Sequence, residues 1–334
     1  MKRTTKLVVL LIIAALVMSL AACTAPAAPA APAAAPASKA KKEYKDLVVG
    51  FAQIGAESGW RTAETDSIKA EAEKLGITLQ FSDAQQKQEN QIKAIRSFIA
   101  QKVDVIGVAP VVETGWDTVF KEAKDAGIPI ILVDRRAKVA DDLYAAFIGS
   151  DFVLEGENAC KEMAKLLNNK GNIVELEGTV GAGPAIDRKK GFDDCMAKNY
   201  PDIKILASQT GDFTRAKGKE VMEAFLKTYE GQIQGVYAHN DDMLLGAIQA
   251  MEEAGLKPGV DVKGVSIDGV KGIFEAMAAG KANVTVECNP LLGPQFYEAA
   301  LTLANGGSVE KWIKSNEGIF RQDTAAADLP TRKY

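Results

Sequence analysis

The residues best suited to chemistry near the start of the chain are polar and aromatic side chains that follow a short apolar run. They are Gln53, Glu57, Trp60 and Arg61. An arginine beside a carboxylate can clasp neighbouring hydroxyl groups, because the guanidinium donates hydrogen bonds and the carboxylate accepts them in a fixed geometry. An aromatic face such as that of Trp60 suits the apolar C–H face of a sugar ring. The combination favours an uncharged ligand rich in hydroxyl groups.

Side chains of the same types recur after later apolar runs. They are Asp134 and Arg135, Asp187 and Arg188, Phe213, Asn240 and Asp241. Each also has a structural explanation, because Arg and Asp in loops often pair with each other or cap the next helix, and Trp60 could belong to the core. For any single residue that explanation is at least as expected as ligand contact. Their convergence at one predicted edge is what favours a common site.

Catalytic chemistry finds less support in these residues. His239 is the single histidine, and no serine lies in a nucleophile elbow, so the sequence predicts no hydrolytic triad. Residues 178–183 depart from the dinucleotide-binding fingerprint and no phosphate-binding loop motif occurs, so no cofactor is predicted. Asp241 and Asp242 leave a glycosidase-type acid pair open, although nothing in the sequence predicts the separation that such catalysis requires.

The cysteines of the body do not form a recognisable metal-binding pattern. Cys160, Cys195 and Cys288 do not have the spacing of a standard zinc site, and no metal site is predicted. Cys160 and Cys195 fall on two successive predicted helices, so a disulfide between them is possible.

Ten short apolar runs must position the polar residues. They are 47–51, 77–81, 103–108, 128–133, 144–148, 173–176, 203–207, 235–238, 262–267 and 284–287. Near-continuous apolar strands, each followed by a stretch of helical period, are typical of parallel sheets covered on both faces. The predicted fold class is therefore α/β.

An internal similarity indicates two lobes. In each half of the body a strand, a helix closed by a glycine and a second strand end on an aspartate, namely Asp134 and Asp268. Ligands of open parallel sheets lie at the carboxyl ends of the strands. Two lobes with these edges facing each other would place Asp134 and Asp268 across one cleft.

The overall composition is that of a folded, non-fibrous protein, and the length fits two domains of average size. The chain has 334 residues, is 47% hydrophobic and 25% charged, and carries a formal charge of -4. Without a basic stripe, nucleic acid is not an expected partner.

The N-terminus predicts export. Basic residues precede an apolar run at 7–17, and the tetrad ending in Cys23 is similar to a bacterial lipobox. Residues 1–22 are therefore predicted to be a lipoprotein signal peptide that is cleaved before Cys23, which would carry the lipid and attach the chain to the membrane. Plain secretion with Cys23 as an ordinary thiol is the alternative. The Ala- and Pro-rich residues 23–43 predict an extended tether.

The body from about Leu47 to Pro294 resembles the ribose-type periplasmic sugar-binding proteins of bacterial ABC importers, and within them the galactofuranose-binding members most closely. The motifs that carry the resemblance are ESGWR at 57–61, QQKQENQ at 85–91, APVV at 109–112, DR at 134–135, GTVG at 178–181, AIDRKKGF at 185–192, GDFTR at 211–215, AHNDDM at 238–243 and SIDGV at 266–270.

The resemblance implies a type I periplasmic binding protein, with two Rossmann-like lobes of parallel sheets joined by three hinge strands. It implies an N-terminal lobe of residues 44–150 plus about 288–311 and a C-terminal lobe of 151–287 plus about 312–334. The implied ligand contacts are Trp60, Arg61, Asp134, Arg135, Arg188, Phe213, Asn240, Asp268 and Glu287. Glu287 stands where the ribose-type pattern has an amide, and Cys288 beside it departs from the galactofuranose pattern.

The expected function is capture of a monosaccharide, galactofuranose or a related hexose, and its delivery to an ABC permease and ATPase. The expected molecule is a monomer and not an enzyme, exported and lipid-anchored on the outer face of the cytoplasmic membrane or in the periplasm. Two alternatives remain: an extracellular sugar sensor that feeds a signalling receptor, and, ranked last, a sugar-modifying enzyme.

Overall fold

A computed structural model describes residues 41–334 of the chain. The predicted signal peptide, Cys23 and most of the predicted tether lie outside these residues. Across residues 41–334, no helix combines the length and the apolar character needed to cross a membrane.

The first sheet has six parallel strands in the order β11-β5-β4-β3-β1-β2. Its strands are β1 (Val48–Gln53), β2 (Thr78–Asp83), β3 (Val105–Val108), β4 (Ile130–Val133), β5 (Ala146–Gly149) and β11 (Trp312–Lys314). The helices of this lobe are α1 (Gly59–Leu75), α2 (Gln88–Ala100), α3 (Asp117–Asp125) and α9 (Gly293–Ala304). β1 lies between β2 and β3, so the strand order reverses there, as it does at ligand sites of open α/β sheets.

The second sheet repeats this arrangement in the order β12-β10-β9-β8-β6-β7. Its strands are β6 (Gly171–Glu177), β7 (Ile203–Thr210), β8 (Gly235–Ala238), β9 (Lys263–Asp268), β10 (Val284–Glu287) and β12 (Ile319–Arg321), of which only β12 runs antiparallel to its neighbour. Its helices are α4 (Phe152–Leu166), α5 (Gly183–Asn199), α6 (Arg215–Thr228), α7 (Asp241–Glu253), α8 (Lys271–Ala278) and α10 (Gln322–Asp328). The α/β fold class and the two parallel sheets are confirmed.

Each of the ten predicted apolar runs overlaps a strand, and the prediction is right to the residue for β8 and β10. β8 is buried along its whole length and β10 is buried except at Glu287, which is why apolar residues mark both strands in the sequence. The sequence reasoning missed β11 and β12, since three half-exposed residues are too few to show a period.

The chain crosses between the two sheets three times. The crossings follow β5 at Ser150, β10 at Cys288, and β11 at residues 315–318. Because β11 pairs with β5, the third crossing lies between Lys314 and Ile319, a few residues beyond the expected boundary of about 312.

A disulfide joins Cys160 on α4 to Cys195 on α5, the pairing that the sequence left open. The bond fixes two helices that cover the same face of the second sheet. Underneath them, the rings of Phe192 and Tyr237 stack with their centroids 3.9 Å apart. Cys288 is a free, buried thiol.

Candidate functional site

A cavity with an empty volume of about 290 Å³ lies where the carboxyl ends of the two sheets face each other. It is lined by Glu57, Ser58, Trp60, Arg61, Asp134, Arg135, Pro184, Arg188, Phe213, Asn240, Asp268 and Cys288. Eight of the nine residues that the resemblance implied as ligand contacts are in this lining. Polar, charged and aromatic side chains from both lobes therefore face one space.

The first turn of α1 places Trp60 and Arg61 in the wall. The Ser58 side chain caps the helix by accepting a hydrogen bond from the Arg61 backbone N–H, which fixes where the helix begins. The indole Nε1 of Trp60 donates to the Cys288 carbonyl over 2.6 Å, and the Arg61 guanidinium lies 4.8 Å from the centre of the Trp60 ring. The indole is therefore held by both the first helix and the second crossing.

Arg61 is buried among three carboxylates. Its Nε is 3.0 Å from Glu57 Oε1, its Nη2 is 2.5 Å from Asp134 Oδ2, and its Nη1 pairs with Glu64. Burial opposes the charge, but Glu64, Asp134 and Glu57 together hold the pKa of Arg61 well above its usual value. Arg61 therefore stays cationic, and its orientation is fixed before any ligand enters.

Arg135 shares Glu57 with Arg61 but is held less completely. Its Nη1 donates to the Val111 carbonyl over 3.1 Å, and its Nη2 is 3.4 Å from Glu57 Oε1. Burial and the charge of Arg61 lower the pKa of Arg135 to about 10. Within residues 41–334 its Nε–H is buried without a hydrogen-bond partner, and so is Glu57 Oε2. One free donor and one free acceptor thus lie in the same wall of the cavity.

Burial disfavours the Glu57 carboxylate, yet the charges of Arg61 and Arg135 outweigh burial and lower the pKa of Glu57 below its usual value. Glu57 therefore stays ionised between two cations and holds both guanidinium groups in place.

In the second lobe Arg188 is the central cation. Its Nε donates to Glu155 over 2.7 Å, its Nη1 donates to the His239 carbonyl over 2.6 Å, and its Nη2 lies 3.6 Å from Asp268. Burial raises the pKa of Asp268 well above its usual value, against the opposing effect of Arg188.

The two aspartates that the internal similarity paired do lie in one cavity. Both have backbone conformations that side chains rarely adopt, with φ of 61° at Asp134 and 132° at Asp268. Strained backbone of this kind persists where the surrounding structure over-determines it, as at binding sites.

Phe213 supplies the aromatic face of the second lobe. Its ring lies directly on Gly178, where an added Cβ would come within 2.0 Å of the ring, so only glycine leaves room for it. Asn240 donates from Nδ2 to the Phe213 carbonyl over 3.1 Å and also caps α7. Arg135 of the first lobe lies 5.3 Å from the centre of this ring, on the opposite side of the cleft.

The lobes are closed on each other. Across the cleft the Gly59 N–H donates to Asp242 Oδ2 over 2.7 Å, and the Glu113 N–H donates to the Gly181 carbonyl over 2.9 Å. Neither contact involves the residues that line the cavity, so closure can be strengthened or weakened without changing its walls.

Glu287 is the one implied contact that the structure places elsewhere. Its side chain accepts hydrogen bonds from the Gly318 backbone, Arg332 and Tyr334, and it does not line the cavity. The physical reason is the C-terminal segment, which brings Arg332 and Tyr334 against the end of β10 and engages the carboxylate there. Nothing in the local sequence around Glu287 could have shown this.

Sequence reasoning did not single out Ser58, Pro184 or Cys288 as cavity residues. Ser58 and Pro184 carry helix-start signals that could have located them, while Cys288 is placed only by the path of the second crossing. His239, the single histidine, contacts Glu175 over 2.9 Å and does not line the cavity.

Comparisons with known proteins agree with this geometry. A family model described as "Periplasmic binding protein domain" matches residues 21–308. The chain is 54% identical to the galactofuranose-binding protein YtfQ of Escherichia coli (strain K12), over 86% of this chain and 92% of that protein.

Two solved structures have the same fold. The periplasmic binding protein component of the arabinose ABC transporter from Shewanella sp. ANA-3, bound to α- and β-L-arabinofuranose, is similar with a TM-score of 0.83 and 54% identity, covering 86% of this chain and 95% of that chain. A protein from Mycobacterium smegmatis in complex with β-D-fucofuranose is similar with a TM-score of 0.84 and 54% identity, with the same coverage.

Proposed function

The chain belongs to the periplasmic binding protein family, and from this premise we propose that it captures a monosaccharide between its lobes and delivers it to the permease and ATPase of an ABC importer. The proposed ligand is galactofuranose or a related sugar in the furanose form. The observation that carries the proposal is the lining of the cavity, where guanidinium–carboxylate pairs and two aromatic side chains from the two lobes face one space.

The proposed ligand contacts are Trp60, Arg61, Asp134, Arg135, Arg188, Phe213, Asn240 and Asp268. Glu57 joins them because it holds Arg61 and Arg135 in place and has one carboxylate oxygen free. Glu287 is left out because the C-terminal segment engages its carboxylate. The relatives that bind furanose sugars support the choice of ring form, since each is 54% identical to this chain.

Delivery depends on closure. A sugar that binds groups of both lobes stabilises the closed state, and the equilibrium shifts by as much as the affinities for the open and closed states differ. The permease can then distinguish the loaded from the empty molecule by the relative position of the lobes.

The ring form is testable with deoxy sugars. 4-Deoxygalactose closes only to the pyranose because it lacks O4, whereas 5-deoxygalactose closes only to the furanose because it lacks O5. Each has lost one hydroxyl, so the pair is matched. In calorimetry with the full chain we expect binding of 5-deoxygalactose and L-arabinose, and much weaker binding of 4-deoxygalactose. Tighter binding of 4-deoxygalactose would overturn the furanose assignment.

We also propose that the chain is not an enzyme. Its relatives are sugar-binding proteins of transport systems, and the groups of the cavity are paired with one another in a way that suits binding. Prolonged incubation with each sugar that binds, followed by chromatography, should return the sugar unchanged. A new product that disappears in Asp268→Asn would contradict this.

Export, lipid attachment at Cys23 and a monomeric state are further proposals. Export and lipid attachment are supported by the basic, apolar and small residues of the first 23 positions. Mass spectrometry of the chain from a producing bacterium should show cleavage before Cys23 and a lipid on its sulfur, and Cys23→Ser should release the protein from the membrane. Light scattering with and without sugar should give the mass of one chain.

A further inference from the structure

The three crossings between the lobes bring together a group of side chains that are not among the proposed ligand contacts. Cys288 belongs to the second crossing, Glu317 to the third, and Glu155 to the first turn of α4. One donor atom of each lies within 4.8 Å of the others. We call these three residues the hinge cluster. Cys288 also touches the sugar cavity, whereas Glu155 and Glu317 face a separate cavity at the hinge.

Each carboxylate of the hinge cluster has one oxygen engaged and one free. Glu155 Oε2 accepts from Arg188 over 2.7 Å, and Glu317 Oε1 accepts from Ser150 and from the Asn289 backbone. Glu155 is only 3% exposed, and in the described part of the chain its Oε1 has no hydrogen-bond partner.

This pattern is typical of metal-binding carboxylates. One oxygen is oriented by hydrogen bonds while the other is left to the ion, and such outer contacts hold ligands in place. A buried carboxylate oxygen without a strong partner costs free energy, and the neighbouring Cys288 thiol is only a weak donor, so a cation at this point would lower that cost.

The types of donor atom restrict that occupant. A thiolate with two carboxylate oxygens suits a thiophilic divalent cation such as Zn²⁺, and suits Ca²⁺ or Mg²⁺ poorly because these prefer oxygen alone. The hinge cavity, lined by Glu155 and Glu317 together with Asn158 and Ser315, gives an ion and a coordinating water a route in. The spacing of the cysteines could not reveal this, because the three ligands come from three distant segments.

The geometry points to a binding site for a thiophilic divalent cation of the Zn²⁺ type, with Cys288 Sγ, Glu155 Oε1 and the free oxygen of Glu317 as its protein ligands and water in the remaining position. Coordination converts the Cys288 thiol to a thiolate, and the proton passes to solvent. The ion would tie the second and third crossings to α4 of the second lobe.

Such an ion would be coupled to the sugar site. Glu155 binds Arg188, and Cys288 accepts the indole N–H of Trp60 through its carbonyl, so both residues touch the proposed sugar contacts. If the ion changes the sugar affinity by some factor, the sugar must change the ion affinity by the same factor.

Cd²⁺ titration of the full chain, followed by ultraviolet absorption, tests the site without any sugar. We expect a thiolate-to-Cd²⁺ charge-transfer band that is stronger in the wild type than in Cys288→Ser, and the difference between the two proteins should saturate at one ion per chain. Cys160 and Cys195 contribute no thiolate because they form the disulfide, and Cys23 is present in both proteins and cancels in the difference. Zn²⁺ should compete for the same band.

Glu317→Gln keeps the thiol and tests the carboxylates. We expect its Zn²⁺ affinity, measured by competition with a chromophoric chelator, to fall at least about tenfold, as is usual when a metal site loses a supporting contact. Glu310→Gln, on the exposed surface just before β11, is the matched control and should leave the affinity unchanged. Equal Cd²⁺ spectra for the wild type and Cys288→Ser, or an unchanged Zn²⁺ affinity in Glu317→Gln, would overturn the proposal. Because neither readout involves sugar, failure here leaves the proposed transport function intact.

Discussion

Replacing Arg135 by Ala should weaken sugar binding strongly. Its Nε lies 3.8 Å from Asp134 Oδ2 and has no hydrogen-bond partner within residues 41–334, so it can donate to a ligand hydroxyl. The guanidinium lies 5.3 Å from the centre of the Phe213 ring. A hydrogen bond to a charged group contributes about 1.5–3 kcal/mol. A desolvated cation–π contact adds about 1 kcal/mol.

Together these two contributions amount to about 2.5–4 kcal/mol, which corresponds to roughly 60- to 700-fold weaker binding. The full effect requires closed lobes, since the Phe213 contact spans the cleft. Arg135→Lys should fall between the wild type and Arg135→Ala, because lysine keeps the charge but loses the planar fork.

Isothermal titration calorimetry with the sugar that binds best is the suitable assay. Arg96→Ala is the matched control, because Arg96 is a half-exposed arginine that pairs with Glu122 on the surface. Such exposed pairs contribute about 0–1 kcal/mol to stability and should not affect the site. If a folded Arg135→Ala protein binds sugar within threefold of the wild type, the inference that its free Nε–H serves the ligand is refuted.

Three further predictions concern closure, the aromatic wall and acid stability. Asp242→Ala removes the acceptor of the Gly59 N–H across the cleft, so we expect about tenfold weaker sugar binding from the loss of about 1.4 kcal/mol. Small-angle scattering should show that the empty variant is more open than the wild type, whereas the exposed control Asp117→Asn should not differ. Unchanged affinity and scattering in Asp242→Ala would mean that this contact does not stabilise the closed state. Gly178→Ala places a methyl group where the Phe213 ring lies, so calorimetry should show sugar binding weakened about tenfold or more. In the control Gly272→Ala the added Cβ lies 3.2 Å from its nearest neighbour, and the sugar affinity should equal that of the wild type. An unchanged sugar affinity in Gly178→Ala would mean that the position of the Phe213 ring does not matter for binding. Burial opposes ionisation of Glu175, but the hydrogen bond and charge of His239 and the charge of Lys189 lower its pKa to about 2. Glu175 therefore contributes up to about 3 kcal/mol of stability that is present above about pH 4.5 and is lost as the pH falls towards 2. The free energy of unfolding in urea should depend less on pH between about 4.5 and 2 in Glu175→Gln than in the wild type or in the control Glu220→Gln. The same pH dependence in all three proteins would contradict the lowered pKa of Glu175.

Local sequence predicted the sheets and much of the cavity. Central strands such as β3, β4 and β8 are buried on both faces and are apolar throughout, so their runs were readable without any tertiary information. The half-exposed strands β2 and β7 were located by shorter apolar stretches. The equivalence of Asp134 and Asp268 was readable for a related reason, since each ends a strand of the same local pattern and such strand ends gather at one edge of a parallel sheet.

The tertiary structure decided what depends on segments that are distant in the chain. β11 and β12 form only because a larger sheet offers them an edge, and the C-terminal segment takes Glu287 away from the cavity by supplying Arg332 and Tyr334. The meeting of Glu155, Cys288 and Glu317 likewise requires the crossings to pass side by side. Periodicity records which face of an element is buried, because burial repeats with the backbone, but a contact between single side chains from separate crossings leaves no repeating signal in the sequence.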